Sequence, residues 1–130
     1  MRGLHILKDE SGNGTVTVTA LVAVAIILTC AVLLWTAATH ASMRAASAAD
    51  LAALAAADTA RGLRVGDPCA IAGSVSAEND AHLQSCAVEA DGTSVRVTVS
   101  VPVNFTALDV QLYDATARAR AGAPPLDQRW

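Results

Sequence analysis

Aromatic side chains are scarce in this chain. Two Trp, one Tyr and one Phe make up 3% of 130 residues, and nine Lys and Arg stand against twelve acidic residues. A net charge of −3, no Lys/Arg cluster and too few rings to stack bases leave nucleic-acid binding without support. Signatures of catalysis are missing too. His5, His40 and His82 lie far apart, none at a metal-ligand spacing from a Cys or a carboxylate. There is no glycine-rich phosphate loop, no serine nucleophile elbow and no C-x-x-C pair. Neither enzymatic activity nor a cofactor or metal is expected. Asn104-Phe105-Thr106 matches a glycosylation acceptor triplet, which matters only in a secreted eukaryotic chain.

Another absence is more informative. No Pro and no Gly occurs between Thr15 and Arg61, and no charge between Thr15 and Thr39. An uncharged apolar run longer than about 18 residues is long enough to cross a bilayer as a helix, and at about 1.5 Å per residue this one covers a hydrocarbon core of roughly 30 Å. A cleaved secretory signal has an apolar core of only about 7–15 residues. Ala46-Ser47-Ala48 does offer a small-x-small triplet, but the run is longer than such a core and Asp9-Glu10 stand where a basic region belongs. A membrane anchor is the better reading. Arg2, Lys8 and the amino terminus precede the span and only Arg44 closely follows it, which favours an amino terminus inside the cell. Thr17, Thr19, Thr29 and Thr36 can bond back to their own helix, Ala20, Ala23 and Ala25 allow close helix approach, and Trp35 and His40 suit the interface.

The helix is expected to continue past the membrane, because Ser42–Ala60 is rich in strong helix formers. Leu51, Leu54 and the alanines between them are expected to form a flat face of small residues. Arg44, Ser47, Asp58 and Arg61 fall on a more polar side at three- and four-residue steps. Asp50 sits among alanines, either as part of a solvated face or as a contact to a partner subunit. Gly62-Leu63-Arg64-Val65-Gly66 is expected to end the helix, with a glycine available for a left-handed cap. Asp67-Pro68 then signals a second, shorter helix running to about Asn79, with Asn79-Asp80 suited to its end.

From Leu83 the period becomes that of a strand. Cys86, Val88 and Ala90 alternate with polar residues, and Asp91-Gly92 is a hairpin signal. Val95, Val97, Val99, Val101 and Val103 form one face of the clearest strand, with Arg96, Thr98 and Ser100 on the other and Pro102 at its end or at an exposed edge. A third run places Tyr113, Ala115, Ala117 and Ala119 opposite Thr116, Arg118 and Arg120. The valine face needs a cover, and the Ala-rich helix faces are the apolar surfaces left to supply it. The expected class is α+β: a transmembrane helix continuing into a soluble one, a short helix, and about three antiparallel strands. Cys30 falls within the span as a small apolar residue. Cys69 and Cys86 are natural disulfide partners if the head lies outside the cytoplasm, and two separate buried thiols otherwise.

Several of these stretches resemble a known family. Gly14 followed by Thr15-Val16-Thr17-Val18 and a long apolar helix resembles pilin precursors whose leader is cut after glycine on the cytoplasmic side. Ala48-Ala49-Asp50-Leu51-Ala52-Ala53-Leu54-Ala55-Ala56-Ala57 is similar to the alanine-aspartate signature of TadE- and TadG-like proteins of the tight-adherence (Flp) pilus system. The run from Ala77 through Leu83 to Ser85-Cys86, the valine strand and Ala117 to Gly122 resemble the short actinobacterial TadE-like proteins. The resemblance covers most of the chain and rests on the order of alanine-rich pieces. It implies a minor pilin or pseudopilin, with Gly14 as the last leader residue and Thr15 as the first mature one; Gly12 offers a second place for the cut. The implied partners are the membrane, other pilin-like subunits, Tad-type platform proteins, a prepilin peptidase and, indirectly, a secretion ATPase. In one respect the chain departs from the pattern: Thr19 stands where such pilins usually carry a glutamate that pairs with a neighbour's amino terminus.

The expected organisation is a cytoplasmic leader-like segment over 1–14, a transmembrane half-helix over 15–39, an extracytoplasmic half-helix over 40–61, a small α+β head over 62–122 and a flexible tail over 123–130. This makes a single-pass protein of the cell membrane with its carboxy-terminal domain outside. A secreted or tethered binding module with no part in any filament is the alternative.

Overall fold

The computed structural model describes residues 12–105 and 108–123. Most of the expected leader and tail therefore lies outside the described residues. The elements are α1 (Asn13–Ala60), α2 (Pro68–Glu78), β1 (His82–Val88), β2 (Val95–Phe105) and β3 (Val110–Ala121), an α+β arrangement as expected. Contacts divide the chain into two units, Met1–Trp35 and Thr36–Trp130, the first boundary falling a little before the expected one.

Local chemistry sets the element ends. At the end of α1 the Leu63 amide donates to Asp58 O at 2.9 Å and the Gly62 amide to Thr59 O at 3.0 Å, the paired bonds of a Schellman cap. Gly62 takes the left-handed φ of +78° that this cap requires. Asp67 caps α2, its Oδ1 accepting from the Ala70 amide at 2.8 Å, with Pro68 opening the helix. At the other end of α2 it is Asp80, not Asn79, that turns left-handed (φ +54°). Asn79 instead donates its side-chain amide to Val75 O at 2.8 Å.

The second unit is a three-stranded antiparallel sheet in the order β1-β2-β3, covered on one face by α1 and α2. Val95, Val97, Val99, Val101 and Val103 are buried beneath alanines of α1 and α2. Burying each such side chain contributes on the order of 1.5–3 kcal/mol before ordering costs. The buried surface of α1 is alanine, Thr59 apart: Ala45, Ala48, Ala49, Ala52 and Ala56 have no exposed surface. Leu51 and Leu54, expected on that face, lie off it at 48% and 60% exposure, and Asp50 is exposed as well. A single methyl group lets β2 approach the helix backbone closely; a leucine at the same place would force the layers apart.

Two strand expectations are corrected. Alternation in β1 is broken by a bulge at Gln84, so Leu83 and Cys86, three residues apart, both pair with inward-facing valines, Val99 and Val97. Ala90 falls beyond the strand. Pro102 does not end β2; it pairs with Asp114 of β3 on a stretch of the central strand whose other edge is exposed, the second of the two expected settings. β1 stops at His82 opposite Ser100, so beyond that point β2 has a ladder partner on one side only, a setting that tolerates a missing N–H.

Candidate functional site

In the first unit, the apolar stretch of α1 is bare among the described residues. Val16, Leu21, Ile27 and Leu28 remain 61–67% exposed. Among the described residues, the helix Gly14–Ala60 is long and apolar enough to cross a membrane, and its most apolar 18-residue window is wholly unburied. Bare surface of this kind is stable in lipid and costly in water. Backbone polarity is satisfied within the helix, and the threonines add to that: Thr19 Oγ1 donates to Thr15 O and Thr29 Oγ1 to Ala25 O, each at 2.8 Å. Gly14 and Thr15 thus lie in the first turns of α1, and Cys30 is a free, exposed thiol on the same stretch.

In the second unit, Cys69 and Cys86 form a disulfide, their Cα atoms 5.7 Å apart and seventeen residues apart in sequence. It ties the start of α2 to the middle of β1. Asp67 and Pro68 fix where α2 begins, and the bulge at Gln84 turns Cys86 toward it; without that extra residue the alternation from Leu83 would aim Cys86 at the opposite face.

The outer face of the sheet carries an ionic cluster that the strand pattern alone did not reveal. Glu89 accepts from Arg96 Nη2 at 2.9 Å through one carboxylate oxygen, and from Arg120 Nε and Nη2 at 2.9 and 2.7 Å through the other. The Arg120 guanidinium, through these bonds, holds the Glu89 carboxyl below its ordinary range, with Arg96 adding to the effect. Asp91 accepts from the Ser94 hydroxyl at 2.5 Å and from the Ser94 and Thr93 amides at 2.8 and 3.0 Å. Those bonds, the Ser94 hydroxyl first, bring its pKa down to about 2. Gly122 lies against this turn so closely that a Cβ there would fall 2.7 Å from Ser94 Cβ and 2.9 Å from Ser94 Cα. Glu89 and Asp91 therefore lock the β1–β2 connection to the far end of β3. The alternation had placed Arg96 and Arg120 on the outer face, but only the register pairing them with each other brings both within reach of Glu89.

The expected residues do not converge on one place. Cys69 and Cys86 meet; Asp50, Leu51 and Leu54 share the exposed side of α1; Gly14 and Thr15 belong to the other unit. Among the described residues no group of three or more His, Cys, Asp or Glu stands close enough to hold a metal ion. No family model, curated protein or solved structure matches the chain.

Proposed function

We propose that this protein is a membrane-anchored minor pilin, pseudopilin or assembly component of a Flp-type (Tad) pilus or a related secretion apparatus. The observation that carries the reading is the unburied apolar stretch of α1 in the same helix as an alanine face roofed by a small sheet. Such a helix holds a subunit in the bilayer while the head is presented beyond it. Residues 1–14 remain on the cytoplasmic side and the head lies outside. Two independent features support that orientation: Arg2 and Lys8 precede the span, and the Cys69–Cys86 bond belongs to an oxidising compartment. Asp50, Leu51 and Leu54, left uncovered by the head's own sheet, face a neighbouring subunit in this scheme. Thr19, in place of the usual glutamate, gives its hydroxyl to Thr15 O, so this subunit engages its neighbours without that ion pair.

Intact-mass spectrometry of the membrane-extracted chain tests the reading. A mature amino terminus at Thr15, in a protein that shears off with surface fibres, supports it. An intact Met1 removes processing by a prepilin peptidase, and retention in the membrane with no fibre association favours a tethered binding module.

A further inference from the structure

The outer sheet face carries a second feature beside the Glu89 cluster. Ser85, Thr98 and Arg118 are successive cross-strand partners on β1, β2 and β3, forming one row across the sheet. Neighbouring strands lie about 4.8 Å apart, so the three side chains stand side by side. Among the described residues none of the three engages in a side-chain hydrogen bond or ion pair, although Arg96 and Arg120 in the adjoining row are both held by Glu89. Together with Ala119, these five residues line a shallow depression of about 480 Å³.

We infer that this row is a binding site for a phosphate group. Arg118 offers a planar fork of N–H donors, and Ser85 and Thr98 add a hydroxyl each. Those donors come from three adjacent strands rather than from one plane, which suits the tetrahedral oxygens of a phosphate, free or esterified, better than the planar pair of a carboxylate. Glu89 has a double effect here. It fixes Arg96 and Arg120 so that their positive charge borders the depression, and it engages Arg96 Nη2 and Arg120 Nε and Nη2, so that Arg118 is the guanidinium of the sheet whose whole fork is unengaged among the described residues. The site rests on the head's geometry alone and is independent of any role in a filament. Its occupant is either free inorganic phosphate or a phosphodiester such as lipid headgroups and envelope polymers carry.

The test is an NMR titration of the full chain in uncharged detergent micelles, at constant ionic strength balanced with sodium chloride. The signals followed are the Arg118 Nε–Hε and the backbone amides of Ser85 and Thr98. One arm uses inorganic phosphate and the other the soluble diester glycerophosphoglycerol. Saturable shifts at this row are expected in at least one arm: phosphate alone assigns the site to the free ion, and the diester binding as tightly assigns it to carried phosphate. Arg118→Gln should weaken binding roughly tenfold or more, and Arg118→Lys, which keeps the charge but loses the fork, should weaken it by less. The double variant Ser85→Ala/Thr98→Val should weaken it with the charge intact, whereas Arg44→Gln on α1 should not. No saturable shift in either arm, or equal binding by wild type and Arg118→Gln, overturns the inference.

Discussion

Helix α1 contains two stretches in opposite surroundings. From Val16 to Leu34 it carries Val, Leu and Ile on every side, all of them at least 40% exposed. From Ala41 onward it carries alanine on one side and a sheet is packed onto it. The difference lies in side-chain size. Large apolar residues all round make a helix that needs an apolar solvent; a stripe of methyl groups makes one that needs a close-fitting protein partner. The first stretch is rich in Thr, Val and Ile, weaker helix formers than the alanines of the second, yet both are helical, so it is the surroundings that separate them.

The packed stretch depends on support from outside the helix, and the disulfide is the largest single piece of it. Cys86→Ser should destabilise the head by about 3 kcal/mol, from the closed loop of about 18 residues, read as a lower urea midpoint for the head in detergent. The bare stretch should fail in a different way. Leu28→Arg should cost about 3 kcal/mol in membrane insertion, read as the inserted fraction in a translocation assay, with no change in the head's urea midpoint. A fall in that midpoint would mean that the two stretches are not independent.

Smaller changes sharpen the contrast within the packed stretch. Ala52→Leu, placing a large side chain under Val95 and Val97, should lower head stability by about 1–3 kcal/mol, while Leu54→Ala on the exposed side should stay within about 0.5 kcal/mol. Gly122→Ala, which drives a methyl group into Ser94, should cost about 1–2 kcal/mol by the same denaturation measurement. The smallest effect is electrostatic. Asp91 titrates near 3.8 when unfolded and about 2 when folded, so its contribution is present above about pH 4 and is lost as pH falls toward 2. The head's thermal midpoint should drop over that window, and Asp91→Asn should flatten the drop.

Much of the fold is legible in the residues. The uninterrupted run from Thr15, the Gly62 cap, Asp67-Pro68 and the valine alternation all act through neighbours a few positions away, and each element was expected where it lies. The bulge at Gln84 was not legible, because Leu83-Gln84-Ser85 satisfies plain alternation and the slip is set by what β1 must place beneath α2. Pro102 left two settings open for a related reason: its cost depends on whether a strand stands beside it, which the chain itself does not record. Leu51 and Leu54 were grouped with the alanines between them on one face; the deciding quantity was the room beneath the sheet, which takes the alanines and leaves both leucines exposed. Of the site residues, Cys69 and Cys86 were open to two readings until the strand register brought them together. Arg118 could be placed on the outer face, but its partners Ser85 and Thr98 could not be named.

Composition and periodicity, acting over a turn or a strand, settled that this chain has one span-length apolar helix, an alanine helix, a capped short helix and alternating strands. Tertiary packing chose which alanines are covered, which cysteines are joined and which of the sheet's three arginines has no ion pair among the described residues. Those choices depend on distances between residues far apart in sequence, and such distances are fixed only when the sheet closes onto the helix.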